Sequence, residues 1–199
     1  MVINAALNLV FPIRWSDKQD ANGYPIPLVT AYHTPISREV FEANYRVIAA
    51  TQVELSGKGP IGQRIAALAL NSAARQDAFD QGLTPEQIPA SSPILAEIKR
   101  LTLVLAPLET GYELLPIDPA IARGVIDADD WREAEASLVF FTCALSMVPR
   151  MAKERVAQAY ASVLRGSTTS LLPSEFIASL PTSTAVETSA EQAASLVPS

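Results

Sequence analysis

The sequence predicts a mainly α-helical fold, in which one domain of five to six helices carries an N-terminal β-hairpin and a disordered C-terminal tail. The chain has 199 residues, which is the length of about one domain at the usual ~100–200 residues per domain. Hydrophobic residues make up 49% of it, enough for one core. Apolar residues recur three and four positions apart through most of the chain after Thr34, which is typical of helices. Two short runs rich in β-branched and aromatic residues precede that point, which is typical of strands.

The hairpin is predicted from the runs Ala6–Arg14 and Leu28–Thr34, so that it occupies residues 1–34. The connection between them contains Asn22-Gly23 and two prolines, residue types that favour turns. Pro12 lies inside the first run. Because proline has no backbone N–H to donate to a neighbouring strand, we expect this strand at the edge of its sheet.

A helical pair is expected over residues 35–80, with a turn at Gly57–Pro60. The second helix of the pair, about Ile61–Asp80, is rich in alanine, which permits close approach to a neighbouring helix. The residues that we expect this helix to point inward are Ile65, Leu68, Ala69, Ala73 and Ala78 or Phe79. Residues 81–92, with glycine, two prolines and several serines, are predicted to be a linker.

Residues 93–180 are predicted to be helical around a central helix, Asp129–Met147. Its middle is apolar on nearly every side, as in helices at the centre of a domain or in an interface. The carboxylates of Asp127, Asp129 and Asp130 complement the helix dipole at its start. The other helices expected in this part run from Ser92-Pro93 to Pro107, over Asp118–Gly124, over Arg150–Arg165 and over Pro173–Leu180.

Residues 1–180 are thus predicted to form a single α-rich domain. Residues 181–199 consist largely of serine, threonine, alanine, glutamate and valine, with no aromatic residue. A segment of that composition buries too little apolar surface to offset the entropy of ordering, so we expect a disordered tail.

Composition excludes several classes of function. One cysteine and one histidine cannot form a disulfide framework or a Cys/His metal site within one chain. The net charge is −6 and no basic run is present, which argues against nucleic-acid binding. The longest apolar, uncharged run, Ala136–Pro149, is shorter than the roughly 20 residues that cross a bilayer, so we expect no membrane contact. The start of the chain does not resemble a secretory signal, which favours a reducing cytoplasm.

The residues that invite a chemical role have structural interpretations that fit them better. His33 is a candidate general base without an identifiable nucleophile, and Cys143 lies mid-way along the apolar helix without a nearby cation. The aspartates at the start of that helix lack the spacing of a calcium loop and fit helix capping. Glu109 and Glu113 flank a glycine in a polar loop, and Gly57–Gly62 lacks the order of a phosphate-binding loop. We therefore assign no catalytic, cofactor-binding or metal-binding residue.

Aromatic residues at helical spacing form the remaining candidates. Such residues belong to a core more often than to an interface, yet the high apolar fraction keeps partner binding open. The candidate partner-binding residues are Phe140, Phe141, Met147, Phe176 and Ile177.

Four segments resemble a family of bacteriophage proteins of about this length, the tail assembly chaperones of long-tailed phages. They are Asn4–Asn8 with Phe11–Arg14, Ala31–Glu42, Ser137–Cys143, and Gly166–Ser170 continuing through Glu175–Thr182. The resemblance implies a small, acidic, largely helical and non-catalytic protein that acts in the host cytoplasm and is absent from the finished virion. It also implies the tape-measure protein and other tail components as partners.

The interpretation from the residues leaves two alternatives. A structural virion component, such as a tail or head–tail connector subunit, would also carry apolar surfaces for association, so homo-oligomer formation stays open. A small enzyme that uses His33 or the acidic helix start is the other alternative. On the chaperone hypothesis, apolar helical faces bind a long partner helix during tail assembly, and the net negative charge opposes self-association.

Overall fold

The computed structural model describes residues 7–19, 22–108 and 111–180, and within these ranges five strands form one antiparallel sheet. The spatial order is β4-β3-β2-β1-β5. The prediction of a mainly α-helical fold with a single hairpin is therefore wrong, and the fold is mixed α/β. The strands are β1 (Asn8–Gln19), β2 (Pro25–His33), β3 (Thr102–Leu108), β4 (Gly111–Pro116) and β5 (Ser167–Thr169).

The helices of the described residues account for most of the rest of the chain. Residues 81–92, the predicted linker, contain neither a helix nor a strand. A 3₁₀ turn, Arg150–Ala152, precedes the seventh helix. The α-helices are α1 (Arg38–Ala43), α2 (Tyr45–Leu55), α3 (Gly59–Asp80), α4 (Pro93–Arg100), α5 (Ile117–Ala122), α6 (Ala128–Ser146), α7 (Lys153–Val163) and α8 (Pro173–Ser179).

The predicted N-terminal hairpin exists, with longer strands than expected. β1 pairs with β2 from Leu9↔His33 to Gln19↔Pro25, with shifts in the register after Pro12. β1 is not an edge strand along its whole length, because Asn8–Val10 also pair with β5. Pro12 lies just beyond those three residues, where its missing N–H removes no bond of that short ladder.

The helix predicted to run to Pro107 ends at Arg100, and strand β3 begins two residues later. β3 pairs with β2 on one side and β4 on the other. A strand that is buried on both faces has a continuous apolar sequence, which periodicity alone does not distinguish from a buried helix. The same strand converts the predicted hairpin into the middle of a larger sheet.

Strand β5 was also not predicted, and a close contact explains its position. α7 ends in a turn in which the Gly166 N–H donates to the Ala161 carbonyl at 2.8 Å. A Cβ at Gly166 would lie 2.7 Å from the Cβ of Phe11. Only glycine therefore lets the chain approach β1 closely enough for Ser167–Thr169 to pair with it.

The two faces of the sheet are covered unequally. The inner face carries Leu9, Phe11 and Val104 into the main core, which α2 to α7 complete. The outer face carries a small cluster of Val10, Tyr32 and Leu105, against which α8 packs. α6 lies within the main core, in contact with α2, α3, α4, α7 and β1. The predicted tail, residues 181–199, and Glu109 lie outside the described residues.

Candidate partner-binding surface

His33 lies at the end of β2 and is completely buried. The Thr102 hydroxyl donates to the Ile98 carbonyl at 2.7 Å, so it accepts from Nδ1 of His33 at 2.9 Å. This arrangement puts the proton on Nδ1 and leaves Nε2 without a partner among the described residues. Desolvation lowers the pKa of His33 to about 3, so the imidazole is neutral at physiological pH. A neutral ring with no access to solvent cannot serve as a general base for a substrate.

The other candidates for chemistry also have structural roles. Cys143 is buried in α6, and desolvation raises the pKa of its thiol to about 12. Asp127 caps α6, where its Oδ1 accepts from the backbone N–H groups of Asp129 at 2.9 Å and Asp130 at 2.8 Å. This confirms the predicted helix capping. Within the described ranges, no three His, Cys, Asp or Glu side chains are grouped so that they would hold a metal ion.

Two polar or glycine-rich segments are likewise explained by local structure. Glu113 of β4 forms an ion pair with Arg123 after α5, with 2.7 Å between Oε2 and Nη1. Gly57, in the turn between α2 and α3, and Gly59, the first residue of α3, have φ angles of 79° and 53°. The segment is thus the predicted turn between two helices.

The predicted partner-binding residues of α6 do not form one exposed stripe. Phe141 is buried, and Phe140 packs against the main core with its ring centroid 5.3 Å from that of Tyr160. Met147, at the end of α6, is exposed. Of these three side chains, Met147 alone is largely accessible to a partner.

Phe176 and Ile177 of α8 lie on the opposite face of the sheet from Phe141. They pack against the cluster of Val10, Tyr32 and Leu105, and the ring centroids of Phe176 and Tyr32 are 5.7 Å apart. The Leu171 carbonyl fixes the segment before α8, because it accepts from Nδ2 of Asn8 at 3.1 Å and from the Tyr32 hydroxyl. The two residues therefore cover the sheet.

Helix α3 carries the exposed apolar surface that sequence reasoning missed. Its buried residues are mostly small, namely Gly62, Ala66, Ala69 and Leu70. Three of its large apolar side chains, Ile61, Leu68 and Phe79, are 66%, 71% and 47% exposed. The expectation that Leu68 points inward is therefore wrong, as is Phe79 as the alternative to Ala78, whereas Ile65, Ala69 and Ala73 do face the main core. The outer face of α3 is defined here by six exposed residues: Ile61, Arg64, Leu68, Ser72, Arg75 and Phe79.

The spacing of these six residues places them on one side of the helix. Successive members are three or four positions apart, which matches the 3.6-residue turn. A parallel line of small residues, Gly62, Ala66, Ala69 and Ala73, runs along the neighbouring side. Both lines have helical periodicity, so the sequence signal existed, but periodicity does not indicate which line faces the core.

The charge of the outer face of α3 is opposite in sign to that of the whole chain. Arg64 and Arg75 contribute two positive charges, whereas the chain has a net charge of −6. Neither arginine forms an ion pair with another described residue. Asp77 of the same helix is paired with Arg46 at 3.2 Å. The face therefore combines three large apolar side chains with unneutralised positive charge.

A cleft of about 220 Å³ is a second candidate site. It lies between β1, α6 and the end of α7, where the Arg165 guanidinium is 5.6 Å from the ring centroid of Trp15. In the described ranges, Arg165 is the only non-glycine residue with a positive φ, 54°. Glu133 lines the same cleft, so its walls do not select a ligand of one charge. The outer face of α3 is the stronger candidate.

Comparisons with protein-family models, with curated proteins and with solved structures found no match to this chain. None of the described helices is both long and apolar enough to traverse a bilayer.

Proposed function

We propose that this protein binds another polypeptide through the outer face of α3 and acts without catalysis, as a tail assembly chaperone whose client is the tape-measure protein. The observation that carries the proposal is the exposure of Ile61, Leu68 and Phe79 along one side of α3, a helix whose buried residues are mostly small. The sequence resemblance supplies the biological process. The burial of His33 and Cys143 supports a non-catalytic role.

The magnitude of the apolar contribution fits reversible binding. Complete burial of an aliphatic or aromatic side chain contributes roughly 1.5–3 kcal/mol. The contribution of three such anchors is comparable to the ~4–15 kcal/mol that association costs in lost translational and rotational freedom. The net binding free energy that they provide is therefore small. A chaperone must release its client, so a surface with a few anchors suits the role better than an extensive permanent interface.

Coexpression with the tape-measure protein of the same genome tests the proposal. We expect the wild-type chain to keep that protein in the soluble fraction and to copurify with it. Leu68→Lys puts a charge at the centre of the outer face of α3 and should abolish both effects without changing the melting temperature. Met151→Lys is the matched control, because Met151 is fully exposed in a different part of the molecule. Equal behaviour of the two variants would contradict the proposal.

Mass spectrometry of purified particles distinguishes the chaperone from a structural virion component. A chaperone is absent from the particle, whereas a tail or connector subunit is present in stoichiometric amounts. Stoichiometric presence would replace the chaperone proposal with the structural alternative, in which the same face contacts a permanent neighbour.

A further inference from the structure

We infer that the segment recognised by the outer face of α3 is an acidic amphipathic helix, an inference that rests on the proposed function and specifies its partner. Three features of the face carry the inference: its length, the interleaving of apolar and basic residues, and the absence of acidic residues from it.

The length of the face matches a partner helix. Its six residues run from Ile61 to Phe79, which spans about 27 Å at ~1.5 Å per residue. An amphipathic helix that packs along it can place apolar residues at i, i+3, i+4 and i+7 against Ile61 and Leu68, and the small Ser72 side chain leaves room for the next turn. Such a helix needs about five turns to reach Phe79.

The basic residues are interleaved with the apolar ones. Arg64 lies between Ile61 and Leu68 in the helical order, and Arg75 lies between Ser72 and Phe79. A partner that covers the apolar residues therefore also covers the arginines. Because a buried charge without a partner is costly, the covering helix must supply acceptors there. Carboxylates match the planar guanidinium with two hydrogen bonds, which favours glutamate or aspartate.

The acids of α3 do not supply those acceptors. Asp80 follows Phe79 and is thus rotated by about 100° from it around the helix axis. Its Oδ1 accepts from Nε2 of Gln76 at 2.9 Å. Asp77 lies near Arg46 and also accepts from Nε2 of Gln81 at 2.6 Å. Neither carboxylate therefore forms an ion pair with Arg64 or Arg75.

A second copy of the chain does not fit the face. Arg64 and Arg75 are almost equally far from the midpoint between Ile61 and Phe79. Two α3 helices packed antiparallel through these faces would put Arg64 of one copy opposite Arg75 of the other. Two parallel helices in register would put each arginine opposite itself. Both arrangements bring like charges together, which disfavours the pairing.

Two synthetic peptides matched in length to α3 test the inference. Both carry leucines at the seam positions of a heptad repeat, and they differ in having glutamate or lysine beside the seam. With the full-length protein, we expect the acidic peptide to bind at least about tenfold more tightly by fluorescence anisotropy. Raising the salt from about 0.05 to 0.5 M should weaken that binding, because screening shortens the range of charge interactions.

Charge reversal supplies the decisive variant. Arg64→Glu with Arg75→Glu should invert the preference between the two peptides and leave the melting temperature unchanged. Arg150→Glu with Arg155→Glu changes the net charge equally and should keep the preference of the wild type, since these two exposed residues lie in the 3₁₀ turn and α7.

The outcomes separate this inference from the proposed function. Equal affinity for both peptides, or binding of neither, overturns the inference, whereas solubilisation of the tape-measure protein that depends on Leu68 leaves the proposed function standing. If the wild-type protein shows no preference for the acidic peptide and also fails to solubilise the tape-measure protein, the inference and the proposed function are both overturned. A stable dimer in sedimentation that Leu68→Lys dissociates would also overturn the inference, because a second copy would then occupy the face.

Discussion

Helices α3 and α6 pack against each other but use their apolar residues in opposite ways. α6 has 19 residues and buries large side chains such as Trp131, Leu138 and Phe141. α3 has 22 residues and buries mainly glycine and alanine, while Leu68 is exposed. Apolar composition therefore shows how much surface a helix has available for burial and does not show where that surface is buried.

The neighbours of each helix explain the difference. α6 is surrounded by helices and by β1, so large side chains find contacts in every direction. α3 packs mainly against α2 and α6, which lie on one side of it. Small residues on that side allow the helix axes to approach closely, since interaxial distance depends on the side chains at the contact. Ile61, Leu68 and Phe79 of α3 are left to face outward, whereas Leu70 is completely buried.

Truncating one apolar residue on each helix tests this comparison with the largest expected change in the free energy of unfolding. Phe141→Ala should lower the free energy of unfolding by about 3–5 kcal/mol, because it leaves a cavity in the core. Leu68→Ala should change it by less than about 0.5 kcal/mol, as for most exposed positions. Denaturant titration of both variants measures the difference. Similar losses would show that Leu68 is covered in solution.

Acid should destabilise the core without altering the charge of the outer face of α3. Histidine in an unfolded chain has a pKa near 6.5, whereas burial lowers the pKa of His33 to about 3. Between these values the unfolded chain binds a proton that the folded chain excludes. Stability should thus fall as the pH drops through this window, by about 1.4 kcal/mol per pH unit.

The control for this pH dependence is His33→Gln, which keeps a donor for Thr102 and does not titrate. Denaturant titrations at several pH values from 6.5 down to 5 should show a shallower slope for this variant than for the wild type. Identical slopes would mean that His33 is solvated or charged in the folded protein.

Adding volume distinguishes the two sides of α3. Ala66 is completely buried against the core, so Ala66→Leu should destabilise the fold by about 1–3 kcal/mol through overpacking. Ser72 lies on the outer face of α3, and Ser72→Leu should leave the stability within about 0.5 kcal/mol of the wild type. Thermal melts of the two leucine variants compare their stabilities. If both variants are as stable as the wild type, the assignment of Ala66 to the buried side of α3 is wrong.

The smallest expected effect concerns how the two helices begin. α6 has the Asp127 cap, whereas α3 starts after Lys58 with no side-chain cap. Hydrogen bonding from the Asp130 backbone lowers the pKa of Asp127, with further contributions from the Asp129 backbone and Arg14. The stabilisation of the fold by the Asp127 carboxylate is thus fully present above the pKa of about 3.9 that aspartate has in an unfolded chain. It is lost as the pH falls through the lower pKa of Asp127 in the folded protein.

Circular dichroism melts of Asp127→Ala and Asp127→Asn test this cap. The alanine variant should melt at a lower temperature than the wild type near neutral pH, and the gap should close in strong acid. The asparagine variant, which still accepts a hydrogen bond, should stay near the wild type. A gap that does not depend on pH would assign the effect to helix propensity.

Local signals predicted some elements well. The aspartates before α6, the turn glycines between α2 and α3, and the proline at the start of α8 act through neighbouring backbone groups, so sequence alone identifies them. The pairing of β3 with β2 and of β5 with β1 joins residues 69 or more positions apart, as in the pairs Thr102↔His33 and Ser167↔Val10. No local pattern encodes those pairings.

The candidate surface was predictable only in part. Sequence reasoning identified an alanine-rich helix ending near Asp80 that approaches a neighbour closely, and the structure has that helix. It was right that Ile65, Ala69 and Ala73 face the core, and it was wrong about Leu68, which is exposed. Periodicity did not show that small residues such as Ala66, which is completely buried, would fill the core side of α3 while Leu68 stays outside.

Residue types and their near neighbours were enough to specify the ends of several helices, the absence of a disulfide within one chain and the lack of a basic run. Long-range packing, by contrast, placed β1 and β2 inside a five-stranded sheet and turned Leu68 of α3 outward. Both of these features depend on which distant segments compete for the same space in the core. Because the interior is close-packed, the position of each segment depends on the side chains of all the segments around it. No single stretch of sequence therefore determines these two features.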